Sequence, residues 1–278
     1  YRKSDANYLS LHESKEIFED MDYFNHFSEL DRKLRNCGSS NQECLENYSK
    51  SVLEFSKLEK KMISTMILDF QKKINYKYPQ IFQNIKFIKV KNQIENSMPH
   101  TRKNAIVFSE SYFNSLLAKY RGNQHFLLDD LNLIRLISHE QFHIYQRNNP
   151  DIFQRFYETE WNLLKLPIKL PDLIKNLNRT NPDALPDNNW LFKLENNKFI
   201  LPLCIYNSTN SSNINDTSNI FVNVVQSKTG KITFPELEKD LKAKNLLSEN
   251  INFTNFFGYQ GANNYHPHEI SASLFEDM

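Results

Sequence analysis

His139-Glu140-Gln141-Phe142-His143 is the run in this chain whose residue types and spacing could do chemistry. Two histidines four residues apart stand one above the other on a helix face, so both imidazoles can reach a single metal ion. Glu140, one position past the first histidine, falls beside such a metal rather than on it. From there it could take a proton from water and later hand it to a leaving amine. The competing reading is two core histidines that flank an ordinary helix-forming glutamate.

A zinc used for hydrolysis needs three protein ligands and one open position. One arrangement places a glutamate about twenty residues after the second histidine, but Asn162 and Leu163 stand there. Glu158 and Glu160 fall short of that spacing and read as exposed acids on an ordinary helix. The other candidate is Glu269, in Asn263-Asn264-Tyr265-His266-Pro267-His268-Glu269-Ile270-Ser271-Ala272-Ser273-Leu274-Phe275. There His266 suits an N-cap and Pro267 the first helical turn. Glu269 is either the third ligand or simply the acid that a helix N-terminus favours, and the residues alone leave both readings open. His266 could donate to a developing oxyanion or steady a ligand, as Tyr265 could, and is otherwise a bare cap. Thr101 and Arg102 could edge a cleft; a solvated loop is the plainer reading.

The elements that must position these groups are partly legible. Apolar residues recur at 131, 134, 137 and at 133, 136 around the motif, with Asp129 or Asp130 as N-cap and Asn148-Asn149-Pro150 as the stop. This predicts a buried helix with the motif in its second half. Residues from about 8 to 75 read as helical with only a turn at 36–41. Within them Leu53, Phe55, Leu58, Met62, Ile63, Met66, Ile67 and Phe70 form a packing stripe, and Lys57, Glu59, Lys60 and Lys61 a solvated face. Tyr76 to Pro79 breaks that pattern. Strands are expected at 85–90, 104–108, 190–192, 199–203 and 219–225, and helices from 109 or 111, over 151–164, over 235–247 and from near Pro267. The segment 166–187 reads as short helices and loops. Helices and strands come in runs, which makes the class α+β.

The 278 residues are 40% hydrophobic and 13% aromatic, enough for a real core. A net charge of +1 gives no footprint for nucleic acid or an anionic membrane, and no stretch reaches the apolar length of a membrane span. The polar start Tyr1 to Asn7 is no signal peptide and is compatible with a trimmed precursor. Cys37 and Cys44, around Gly38-Ser39-Ser40-Asn41, could close a small disulfide loop, while Cys204 in an apolar run reads as a buried thiol. That pair tilts the expected setting toward an oxidising compartment, secreted or periplasmic. No CxxC or Cys/His zinc cluster occurs, and no Gly-x-Ser-x-Gly turn supports a serine hydrolase.

Several motifs together resemble a known group: His139-Glu140-Gln141-Phe142-His143-Ile144 with Arg147-Asn148-Asn149-Pro150, then Thr180-Asn181-Pro182-Asp183-Ala184, then Tyr265-His266-Pro267-x-Glu269-Ile270-x-Ala272-x-x-Phe275. Met98 to Asn104 joins them as a Thr-Arg segment before a strand. The set is similar to that of bacterial zincin-type metallopeptidase-like proteins, which show HExFH, a later Asn-Pro-Asp and a closing HPEE-like motif; it is scattered over roughly 85–278. The resemblance implies a gluzincin site with Glu269 as third ligand; His268 stands where the group often has a first glutamate. The expected architecture is a helical N-terminal extension (1–78) and a zincin-like catalytic domain (79–278). Zn2+ would be held by His139, His143 and Glu269, with Glu140 as general base and His266 assisting, on a peptide or protein substrate. The alternative is a non-catalytic zincin-fold protein-binding module.

Overall fold

The computed structural model describes residues 6–73, 81–122, 131–184, 190–194, 198–227, 229–234 and 265–277. The helix expected over 235–247, the caps at Asp129 and Asp130 and the break at 76–79 lie outside them. The chain is α+β. It divides into two compact units, Tyr1–Tyr145 with Phe275–Met278, and Gln146–Leu274.

In the first unit the stretch expected as near-continuous helix is five helices and two strands: β1 (Ala6–Tyr8), α1 (Leu11–Phe18), α2 (Asp22–Asn25), α3 (Glu29–Leu34), α4 (Asn41–Lys50), β2 (Val52–Leu53) and α5 (Lys57–Lys73). Serines do the cutting. Ser10 and Ser28 each accept from the backbone N–H three residues on, while Glu13 and Asp31 reach back to the serine N–H. Ser56 and Glu59 exchange the same pair of bonds at 2.7 and 3.2 Å, and Ser40 caps α4. Each cap satisfies N–H groups that a continuing helix would have used, so a new helix starts there. The turn expected at 36–41 is present, with Asn36 and Gly38 left-handed at φ 54° and 70°.

The expected strands form as β3 (Ile85–Val90) and β5 (Ala105–Ser109), and β4 (His100–Arg102) is added. β1, β3 and β5 run parallel, β4 is antiparallel to β5, and β2 is antiparallel to the far end of β3. Every residue of β5 is buried, as a strand covered on both faces requires. α6 (Glu110–Gly122) follows as expected. On α5 the stripe Met62, Ile63, Met66 and Ile67 is buried packing. Glu59 departs from the expected solvated face: it is buried and paired with Lys89 at 2.7 Å.

Thr101 and Arg102 also correct their expected loop. Both are buried in β4, and the Arg102 guanidinium lies 4.1 Å over the Tyr23 ring, a stacked cation that avoids an unpaired burial. Beside it Glu95, Asn96 and Ser97 turn left-handed in succession, at φ 47°, 52° and 64°. That turn drives the Glu95 carboxylate inward, where it accepts from the Tyr23 hydroxyl, from Tyr48 at 2.6 Å and from Arg35 at 3.0 Å, while Arg35 also holds Asp31. Burial pushes the Glu95 carboxyl up, but the Arg35 guanidinium and then His100 outweigh it and hold it down at about 2. Cys37, Cys44 and Cys204 are free and buried, and a hydrogen bond to Cys44 pushes the Cys37 thiol up.

α7 (Leu131–Asn148) is the expected motif helix, and α8 (Pro150–Thr159) begins at once with Pro150 in its first turn. The helix expected over 151–164 stops at Thr159 because Asn162 turns left-handed at φ 52°, and Leu163–Lys165 become β6. In the second unit β6, β7 (Trp190–Lys193), β8 (Lys198–Tyr206), β9 (Thr217–Gln226) and β10 (Ile232–Thr233) form an antiparallel sheet in sequence order, with α9 (Asp172–Leu177) among its connections. Leu201, Leu203, Ile205, Ile220, Val222 and Val224 supply its core. α10 (Pro267–Glu276) is the expected last helix. Among the described residues no helix is long and apolar enough to cross a membrane.

Candidate metal centre

α7 buries Leu133, Ile137, Phe142 and Ile144, and the motif sinks with them: His139 is 7% exposed, Glu140 3% and His143 1%. Glutamates are rarely buried to that extent unless paired or bound. The four-residue spacing sets the two rings 4.7 Å apart and brings their Nε2 atoms to 3.1 Å. Glu269, buried on the first turn of α10, completes a group in which one ligand atom from each of His139, His143 and Glu269 lies within 4.8 Å of the others. A tetrahedral zinc with Zn–N of about 2.0–2.1 Å spaces its donors roughly 3.3 Å apart. The two nitrogens already stand near that spacing. Two imidazoles with one carboxylate are also the donor set of a hydrolytic zinc with one position open, so the residues present fit the ion.

Glu158 and Glu160 do not join the group; both are exposed, Glu158 accepting from Gln154 at 3.1 Å. His266 is buried at the start of α10, and its Nδ1 accepts from the His268 N–H at 3.2 Å. The cap reading of His266 is therefore realised, and an accepting Nδ1 assigns the ring hydrogen to Nε2. Tyr265 is held by Asn181, and burial and then the charge of Glu269 push its phenol well up.

Residues missed in the sequence support the donors. Nδ1 of His139 lies 3.0 Å from a Glu276 carboxylate oxygen, an ion-pair distance without hydrogen-bond alignment, which places an acid where a carboxylate can steady a histidine ligand. Glu276 follows Glu269 by seven residues, which returns a helix to nearly the same face, so spacing could have flagged it. The Gln146 amide meets Ser271 Oγ at 2.7 Å, the His268 carbonyl at 3.0 Å and Tyr157 Oη at 3.1 Å. That network fixes the first turns of α10 around Glu269. Burial, and next the charge of Glu140, raise the Tyr112 phenol, which places this α6 residue in the field of the motif's carboxylate. No local signal marked Tyr112.

Comparison of the chain with protein-family models, with curated proteins and with solved structures finds no match.

Proposed function

We propose that the chain is a zinc-dependent hydrolase, a metallopeptidase of zincin type, with His139, His143 and Glu269 as ligands. The observation that carries this reading is the convergence of three buried donors from sequence positions 126 residues apart at their widest gap. Zn2+ held there supplies Lewis acidity, which lowers the pKa of water and polarises a peptide carbonyl. Glu140 then acts as general base, taking the proton of the attacking water and returning it to the leaving amine. His266, with its hydrogen on Nε2, is proposed to donate to the developing oxyanion. Burying Glu140 costs stability that a purely structural metal site has no reason to incur, which favours an enzyme over a protein-binding module.

The test pairs metal content with chemistry. The purified protein binds about one Zn2+ per chain; zinc-free wild type at saturating metal overturns the site. Glu140→Gln keeps zinc and nearly the same shape, but its amide cannot take the proton. Hydrolysis of a diverse peptide library falls by about 10²–10⁴-fold in that variant and vanishes with chelator. A zinc-loaded wild type that cleaves no peptide favours the binding module, and equal cleavage by Glu140→Gln overturns the role of Glu140.

A further inference from the structure

We infer that Asn181 is a positioning residue for the metal centre, a buried amide that fixes the orientation of the Glu269 carboxylate. The inference rests on the reading of His139, His143 and Glu269 as a zinc site.

Asn181 is 6% exposed, in the irregular segment after α9. Its Nδ2 donates to Glu269 Oε1 and to the Tyr265 hydroxyl, each at 2.5 Å, and its Oδ1 accepts from the Asp183 backbone N–H at 2.9 Å. The last bond settles which end of the amide is which, because a backbone N–H can only donate. Both amide hydrogens are then committed, one to each oxygen. With three bonds the side chain has one rotamer available, and its turn is closed on itself two residues on. The donor aimed at Glu269 is thus set before any metal arrives.

A carboxylate is a ligand that needs such help. Its terminal torsion is broad, so an unrestrained glutamate presents its lone pairs in many directions. A hydrogen bond from a fixed amide to one oxygen removes that freedom, and bonds to a charged acceptor are the strong ones. An amide also does this without adding charge. A lysine or arginine in its place would compete with the cation for the same oxygens, and a carboxylate there would repel Glu269. Tyr265 strengthens the clamp from the other side: by accepting the second amide hydrogen it prevents Asn181 from turning away. Glu276 stands 3.0 Å from His139 Nδ1, so a second of the three donors has an acid beside it.

Asn181→Ala removes the clamp and its turn together. Asn181→Ser keeps a hydroxyl that can accept from the Asp183 N–H but cannot reach Glu269. It separates positioning from local folding and decides the question if the alanine variant fails to fold. Zinc affinity is read by competition with a chromophoric chelator, ligand geometry by the visible band of the Co2+-loaded protein, and fold by the thermal midpoint of the metal-free form. Both variants should lose about 10–100-fold in zinc affinity and shift the Co2+ band, while Asn181→Ser keeps the metal-free midpoint of the wild type. Tyr265→Phe, which leaves the bond to Glu269, should lose less than either. Wild-type zinc affinity and an unshifted Co2+ band in Asn181→Ser overturn the inference while the zinc site stands. A wild type that binds no zinc overturns the site and the inference with it.

Discussion

At the scale of single residues, two of the three proposed donors have a neighbour set against them, Asn181 on Glu269 and Glu276 beside His139. Glu276 on His139 Nδ1 is the case most open to test. Glu276→Ala is expected to weaken zinc about 10–100-fold in a chelator competition, because an unanchored ring loses both orientation and basicity. His139→Ala, His143→Ala and Glu269→Ala should abolish stoichiometric zinc, whereas Glu158→Ala and Glu160→Ala should leave it unchanged; zinc retained in Glu269→Ala would remove the third ligand from the proposal. The motif on α7 was legible because its geometry is local, set by a helix repeat that the apolar spacing announces. Glu269 was legible only as one of two readings, since a cap acid and a ligand look alike in sequence. Asn181 entered only within the Asn-Pro-Asp motif that carries the resemblance, with no chemical role attached to it. Its meaning lies in a carboxylate 88 residues away, and no local rule reaches that far.

Elements tell a different story about legibility. The strands at 85–90 and 105–109, the motif helix and the helix from Pro267 follow from apolar runs and turn residues. The N-terminal third does not follow from hydrophobic spacing alone, because short amphipathic helices in series mimic one long one. The decisive residues were the serines, in Ser10-Leu11-His12-Glu13, Ser28-Glu29-Leu30-Asp31 and Ser56-Lys57-Leu58-Glu59, which all close capping boxes. These patterns are readable in the sequence and outrank the apolar stripe when the two conflict. Ser28→Ala should therefore cost about 0.5–2 kcal/mol in denaturant unfolding, and Ser28→Thr much less. An unchanged midpoint in Ser28→Ala would deny the cap its role.

For the whole molecule, the group with the largest reach is the buried cluster around Glu95. The folded carboxyl stays charged down to about 2, below the ordinary value of 4.5, because Arg35, His100 and Tyr23 outweigh its desolvation. A depressed folded value means that the unfolded chain binds the proton first. The stabilisation is complete above about 4.5 and is lost as pH falls toward 2. Denaturant midpoints followed across that window should drop, and the drop should shrink in Glu95→Gln. Arg35→Ala leaves two buried carboxylates short of their cation and is expected to cost about 3–5 kcal/mol at neutral pH. An Arg35→Ala protein as stable as the wild type would show the cluster to be inert. Sequence could not announce this cluster, since left-handed backbone at Glu95, Asn96 and Ser97 occurs here without a glycine.

The placement of Glu269, 126 residues beyond His143, also fixes an order of events in time. A ribosome adding about 5–20 residues each second needs roughly 6–25 s to travel from the second histidine to the glutamate. Through that interval the nascent chain owns two of the three proposed donors and offers a passing cation no more than an ordinary pair of histidines. The full donor set comes into being late in translation of this stretch, after the strands between have been made. In the proposed zinc site, capture of the ion would thereby wait until Glu269 has been made.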